Sequence, residues 1–317
     1  MNDSTPSMLH PRVLVPFMLT GIIWGSTWFV ITGQIDGVPP AWGVFYRFLL
    51  ATPAMFLLAV VTGKSLRLGR QGQLLAVGVG LAQFCGNFLF VYHAELHITS
   101  GIVAVMFALL MVPNAIFARF VLGERVQGGF VLGSAVAIVG VVLLLVHEWR
   151  SAPMGDNVAL GIVLTVGGIL AASLANVVQA NDVGRKLPMV SLLAWSMVYG
   201  VIADALFAWV TAGPPPLPQD WHFWAGTAYL AIIGSVVTFP LHYNLVREIG
   251  AGKTAYNSLV TVCVAMLLST LFEDYRWSGL AIGGAALALL GMVIALRSRK
   301  AKGFKVGQAS SFRHDTD

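Results

Sequence analysis

The sequence predicts an all-α integral membrane protein of ten transmembrane helices, arranged as two inverted five-helix repeats. Three observations predict it. The chain has 317 residues, of which 57% are hydrophobic and only 10% charged. A soluble domain carries about 25% charged residues, so a soluble fold of this size has too few to cover its surface. Ten apolar segments are long enough to cross a bilayer, which takes about 20 residues each. Finally, the chain matches itself when shifted by 151 residues. That period holds five spans, an odd number, so the second copy lies upside down relative to the first.

The chain opens with a polar segment, 1–12, read as a cytoplasmic N-terminus. It runs straight into the first apolar stretch, without a small-residue cleavage site, so that stretch is read as a span and not as a signal peptide. The spans fall at roughly 13–32, 41–61, 73–92, 99–118, 128–146, 159–180, 188–211, 223–245, 254–272 and 278–296. Residues 13–146 make the first five-helix repeat and 159–296 the second, with 297–317 a basic tail expected in the cytoplasm.

Lysine and arginine set the direction. With the N-terminus inside, sixteen of the nineteen Lys and Arg residues fall on the cytoplasmic side, and only Arg150 and Arg276 lie outside. Arg47 lies within a span. Trp28, Trp42, Trp149, Trp209, Trp221, Trp224 and Trp277 cluster near the outer boundary, as an aromatic belt does, while Trp24 and Trp195 stand away from it. The expectation is a multi-pass inner-membrane protein with both termini in the cytoplasm and lipid as its solvent. Net charge is +5, but the cations form no single patch, so nucleic acid is not expected as a partner. Cys85 and Cys263 both sit in apolar stretches and imply no disulfide framework.

The repeat is densest from 125 to 145, where 8 of 21 positions are identical to those 151 residues on. Arg125 meets Arg276, Gly133 meets Gly284 and Gly140 meets Gly291; further back, Tyr92 meets Tyr243. Inverted repeats are the signature of secondary transporters, whose substrate site lies near the midplane between the copies.

Three stretches carry a resemblance. They are "WGSTWF" in span one, "TSGIVAVMFALLMVPNAIFARFVLGERVQGG" in span four and "AYNSLVTVCVAMLLSTLFEDYRWSG" in span nine. In them the chain resembles the drug/metabolite transporter superfamily, and within it the ten-helix permeases with two EamA-type domains. The Gly123-Glu124-Arg125 turn and the Gly133/Gly140 pair are its most specific pieces; Phe272-Glu273-Asp274-Tyr275-Arg276 departs from the pattern in the second copy. The resemblance implies ten helices around a central cavity, alternating access, and export or exchange of small metabolites such as amino acids. No cofactor is implied.

The polar residues within the spans are the candidate substrate contacts. Gly21 and Gly25 form a small-xxx-small pair that lets another helix approach span one closely. Ser26 and Thr27 bond backbone carbonyls one turn back, or face a cavity. Trp24 offers a flat surface to a solute if it faces the same way. Arg47 sits about 9 Å deep from the outer side, at 1.5 Å per residue, and an ionised residue there is a functional-site hypothesis by default. Asp204, at similar depth in span seven, is a candidate partner for it; a structural ion pair or a snorkelling Arg47 is the competing reading. Gln83 and Asn87 share one face of span three, and Gly78, Ala82 and Gly86 form a separate packing face. Trp195 and Tyr199 are four apart in span seven. Pro240, His242, Tyr243 and Asn244 suggest a cytoplasmic gate.

"HAELH", His93 to His97, lacks the zinc-protease spacing and reads as three polar interface residues. The sequence has no Walker motif, so a solute or proton gradient is the expected energy source, with Asp204 or Glu95 as candidate proton carriers. A membrane-embedded enzyme would need clustered nucleophiles or metal ligands at depth, and a non-transporting scaffold would need a sizeable soluble domain. Neither pattern is present in the sequence, so no enzyme is expected.

Overall fold

A computed structural model describes residues 10–122, 126–151, 157–249 and 254–298. The Gly123-Glu124-Arg125 turn and the tail beyond Ser298 lie outside the described residues. Those residues are all-helical, and nine of their helices are long and apolar enough to cross a membrane. These are α1 (Pro11–Ile35), α2 (Pro40–Val61), α3 (Gly69–Ala94), α4 (Ser100–Val121), α5 (Gly128–Arg150), α6 (Val158–Gln179), α7 (Met189–Ala212), α8 (Trp221–His242) and, last in the chain, α10 (Gly279–Arg297). Between the last two, α9 (Asn257–Phe272) has 16 residues, shorter than the span read from the sequence. At 1.5 Å per residue it is about 24 Å long.

The helix ends follow local chemistry. Pro11 and Pro40 begin α1 and α2, where the missing N–H costs nothing. Asn157 caps α6 by accepting from Leu160 N at 3.1 Å, and Asp220 caps α8 by accepting from His222 N at 2.9 Å. Gly213, with φ of 74°, ends α7 in a conformation that L side chains rarely adopt.

Three spans leave the regular α geometry, and in α4 the stretch Ala108–Leu110 is a 3-10 turn. Gly80–Asn87 in α3 and Tyr229–Val237 in α8 are π-helical. Shifted by 151 residues, the first would fall on 231–238, almost on top of the second, so both copies widen at the same place. Such widening is rare and gathers at functional sites.

The repeat is explicit in how α5 meets α10. A β-carbon at Gly133 would lie 2.2 Å from Ala295 N, and one at Gly140 would lie 2.2 Å from Ala288 N. From the other side, one at Gly291 would lie 2.2 Å from Ala137 N, and one at Gly284 would lie 2.8 Å from Gly140 O. Gly133 faces Gly291 while Gly140 faces Gly284, which is the cross-pairing a two-fold axis between the copies requires. With lipid as solvent, close backbone approach and dispersion hold such a seam together.

Two further seams use glycine. On α1, a β-carbon at Gly21 would lie 2.7 Å from Val260 Cβ and one at Gly25 would lie 2.5 Å from Val264 Cβ, so α9 packs on the pair expected from the sequence. On α3 the expectation is corrected. Gly78 has nothing near it, a β-carbon at Gly86 would meet Ala171 Cβ of α6 only at 3.7 Å, and the close approach is at Gly80, where a β-carbon would lie 2.5 Å from Ser196 O of α7. The π stretch begins there, and its wider turn rotates the packing face away from the regular helical spacing.

Candidate functional site

The helices enclose a cavity of about 420 Å³ between the two copies. Its wall is mostly apolar and aromatic, with Trp24 and Trp28 from α1, Phe88 from α3, Phe107 from α4 and Phe239 from α8. Gln83, Asn87, Asn114 and Asn176 add amides, and Arg47 adds the charge. Several lining residues are related by the 151-residue shift: Gln83 with Gly234, Phe88 with Phe239, Ala104 with Ala255, Leu110 with Thr261, and Met111 with Val262. The cavity therefore lies on the pseudo-two-fold axis, where an inverted-repeat protein holds its ligand.

Arg47 is 2% exposed, and its surroundings are unusual. Its Nη2 donates to Ser235 Oγ at 3.3 Å, while Nε and Nη1 have no hydrogen-bond partner. The guanidinium carbon lies 4.4 Å from the Phe88 ring centroid and 5.3 Å from that of Phe48, a cation–π cradle. Ser235 in turn donates to Leu230 O, five residues back, at 2.9 Å. That is π-helix spacing, so the widened turn of α8 is what aims the Ser235 lone pairs at Arg47. Gly234 beside it leaves room, since a β-carbon there would lie 2.8 Å from Thr27 Cγ2 and 3.8 Å from Arg47 Nη2.

Asp204 is not the partner of Arg47. It is fully buried, lies off the cavity wall, and neither carboxylate oxygen has a hydrogen-bond partner. Its polar neighbour is the Cys85 thiol. Equal depth along two helices says nothing about the direction each residue faces, and α7 turns Asp204 toward α3.

The other candidates divide in two. Trp24, Thr27, Gln83 and Asn87 line the cavity with Arg47. Trp24 donates to Gly234 O at 3.3 Å and packs on His242 at 4.8 Å between centroids, so the suggested gate residue touches the site. Thr27 spends its hydroxyl on Trp24 O at 2.7 Å. Asn87 and Asn114 each leave a buried Oδ1 without a donor.

Ser26, Trp195 and Tyr199 lie elsewhere. Ser26 bonds Ile23 O at 2.8 Å and the Tyr229 hydroxyl at 2.6 Å, tying α1 to α8. Trp195 donates to Leu66 O at 2.9 Å and Tyr199 to Gln73 Oε1 at 3.0 Å, so both fasten α7 to the segment entering α3. Glu95 is also off the wall. It is 9% exposed, a buried carboxyl and not the interface residue read from the His93–His97 stretch. No metal-ligand cluster occurs among the described residues.

Sequence reasoning missed Trp28, Phe88, Phe107, Gly234 and Ser235. The aromatics look like ordinary lipid-span residues. Gly234-Ser235 carried a faint signal, as a small polar break in an apolar run like Gly25-Ser26-Thr27.

A family model described as the EamA-like transporter family matches residues 13–146 and 159–297. Two curated relatives span nearly the whole chain. One is the "Probable amino-acid metabolite efflux pump" of Escherichia coli (strain K12), 27% identical over 306 residues, covering 92% of this chain and 97% of that protein. The other is "Protein PagO" of Salmonella typhimurium, 21% identical over 286 residues, covering 89% of this chain and 90% of that protein. A solved crystal structure matches with a TM-score of 0.67 at 19% identity, over 89% of this chain and 96% of the other. At that identity the likeness shows the fold.

Proposed function

The chain belongs to the EamA-like transporter family and is a multi-pass membrane transporter; from that premise we propose that it is a secondary active exporter of small carboxylate-bearing metabolites, amino acids among them, working by alternating access. The observation that carries this reading is Arg47. It is a buried cation with two N–H-bearing nitrogens that make no hydrogen bond, no carboxylate within ion-pair distance among the described residues, and a place on the wall of a mostly apolar cavity. A carboxylate matches the planar guanidinium fork, and arginine keeps its charge in such a site. The aromatic wall suits an apolar body on the same solute. Buried amide oxygens of Asn87 and Asn114 await donors, as an ammonium would supply. Export is favoured because the relative from Escherichia coli is named an efflux pump.

The division into five-helix units at 13–146 and 159–296, joined head to tail in opposite orientation, supplies the two bodies that rock about the site. The lysine and arginine bias supports an inner-membrane protein with both termini in the cytoplasm. In that orientation the cavity lining reaches Thr254 and Leu296 at the cytoplasmic ends of α9 and α10, as an inward-facing state has it.

Two measurements test the proposal. Proteoliposomes preloaded with L-leucine should accumulate labelled leucine by counterflow, and preloading with L-leucinamide, which lacks the carboxylate, should not drive it. Equal counterflow with the amide would remove the carboxylate from the reading. In a cysteine-free background, Gln219→Cys should react with an impermeant maleimide from outside and Ser65→Cys should not; the reverse pattern overturns the orientation.

A further inference from the structure

We propose that the hydrogen bond from Ser100 to Glu273 is a latch that holds the outer side of this transporter shut at rest, so that without solute the cavity waits open to the cytoplasm. The inference rests on the alternating-access reading and adds which of the two states is favoured and which residues favour it.

The latch joins one copy to the other. Ser100 is the first residue of α4 and is 1% exposed; its Oγ donates to Glu273 Oε2, just past the end of α9, at 2.9 Å. Beside this bond the two helices press together, since a β-carbon at Gly101 would lie 2.8 Å from Ser269 Cβ and 2.9 Å from Met266 Sδ. A second carboxylate sits on the same helix start: Glu148 of α5 accepts from Thr99 N and Oγ1, both at 3.4 Å. The first N–H groups of a helix carry partial positive charge, so carboxylates there are stabilising.

Glu273 is itself held in place. His147 of α5 donates from Nε2 to Arg276 O at 2.9 Å, Ser278 Oγ donates to its Nδ1 at 3.0 Å, and the Tyr275 ring packs edge-on against it at 5.8 Å between centroids. The turn that follows Glu273 is thereby fastened to α5, and so to the seam between α5 and α10. The carboxylate is presented to α4 from a rigid base.

Alternating access between inverted copies exchanges their shapes, so the outward-facing state closes the cytoplasmic side with the residues 151 positions away. The steric part of the closure exists in both copies: Gly101 is matched by Gly252, Met266 by Ala115 and Ser269 by Ala118. The polar part exists in one. Ser100 is matched by Ala251 and Glu273 by Leu122, whose side chains form no hydrogen bond, and Arg299 stands where Glu148 would be. A cation at a helix start is unfavourable. Glu124, the acid of the cytoplasmic turn, is matched with Tyr275, the residue that packs on α5. Closing the outer side therefore gains an attraction that closing the inner side lacks, and the difference favours the inward-facing state. For an exporter that is the loading state, with Arg47 on a cavity whose lining reaches Thr254 and Leu296.

The test uses the full chain, cysteine-free except for Thr261→Cys on the cavity wall, in right-side-out and inside-out vesicles without solute. The probe is an impermeant cationic methanethiosulfonate. Labelling should be fast from the cytoplasmic side and slow from outside. Ser100→Ala and Glu273→Gln should each raise the outside rate about tenfold, the low end for a hydrogen bond to a charged group. Combining them should add little, because the same bond is lost in all three. Grafting the latch onto the other side, Ala251→Ser with Leu122→Glu, should raise the outside rate with Ser100 and Glu273 intact. Unchanged outside rates in the two single variants, at unchanged melting temperature, overturn the proposal. The graft leaves every outer contact in place, so it decides the matter if a single variant melts early: no rise in its outside rate overturns the latch as well. Leucine counterflow by the chain without Thr261→Cys separates the two readings. Normal counterflow with labelling that ignores all these variants removes the latch and keeps the transporter, whereas shifted labelling without counterflow keeps the latch and removes only the choice of solute.

Discussion

Arg47→Ala abolishes leucine counterflow at normal expression, and adding Asp204→Ala does not restore it. The expectation comes from what surrounds the guanidinium. Removing one partner of a buried ion pair leaves an uncompensated charge and costs several kcal/mol of stability. Among the described residues no carboxylate lies within ion-pair distance of Arg47. Its single hydrogen bond is to Ser235, whose hydroxyl keeps its bond to Leu230 O after the substitution. The fold therefore survives the change and only the solute loses its contact. A hydrogen bond to a charged group contributes about 1.5–3 kcal/mol, so Arg47→Lys, which keeps charge but loses the fork and the stacking on Phe88, should weaken binding roughly 10- to 150-fold. Counterflow and thermal unfolding measured on the three variants decide the matter. If Arg47→Ala unfolds and the double variant recovers both fold and transport, Arg47 is structural.

Gly291→Leu prevents the protein from reaching a folded state, while Gly283→Leu on the same helix is tolerated. At Gly291 even a β-carbon would lie 2.2 Å from Ala137 N and 2.6 Å from Gly133 O. These are backbone atoms and cannot rotate away, so α5 and α10 must separate and lose the seam along their whole length. Inserting methylenes into a packed core costs about 1–3 kcal/mol where side chains can give. Here they cannot, and total stability is only about 5–15 kcal/mol. Gly283 has nothing within 4 Å and provides the matched control. Size-exclusion profiles and melting temperatures in one detergent measure both. Equal melting for the two variants would contradict the seam as the clamp between the copies.

Much of the fold was legible in the sequence, because a bilayer forces the backbone to satisfy its hydrogen bonds within each segment. Apolar runs therefore mark the spans directly, and the five-span period makes the repeat inverted by parity alone. Gly133, Gly140, Gly284 and Gly291 stood out in the sequence as matched positions of the repeat, but that they bring α5 and α10 together came only from the structure. The candidate site was legible only in part. Trp24, Thr27, Arg47, Gln83 and Asn87 do meet in one cavity. Ser26, Trp195, Tyr199 and Asp204 do not, although each is a polar or aromatic group within a span as they are.

Depth along a helix is a local property, and the sequence by itself determines it. Which way a residue faces depends on the rotation of the helix, and only the tertiary structure decides that. Packing against neighbours sets this rotation, as Gly80 on Ser196 O and Gly21 on Val260 show. The two π-helical stretches shift it further by breaking the regular spacing from which faces are counted. That is why Ser235 meets Arg47 and Asp204 does not.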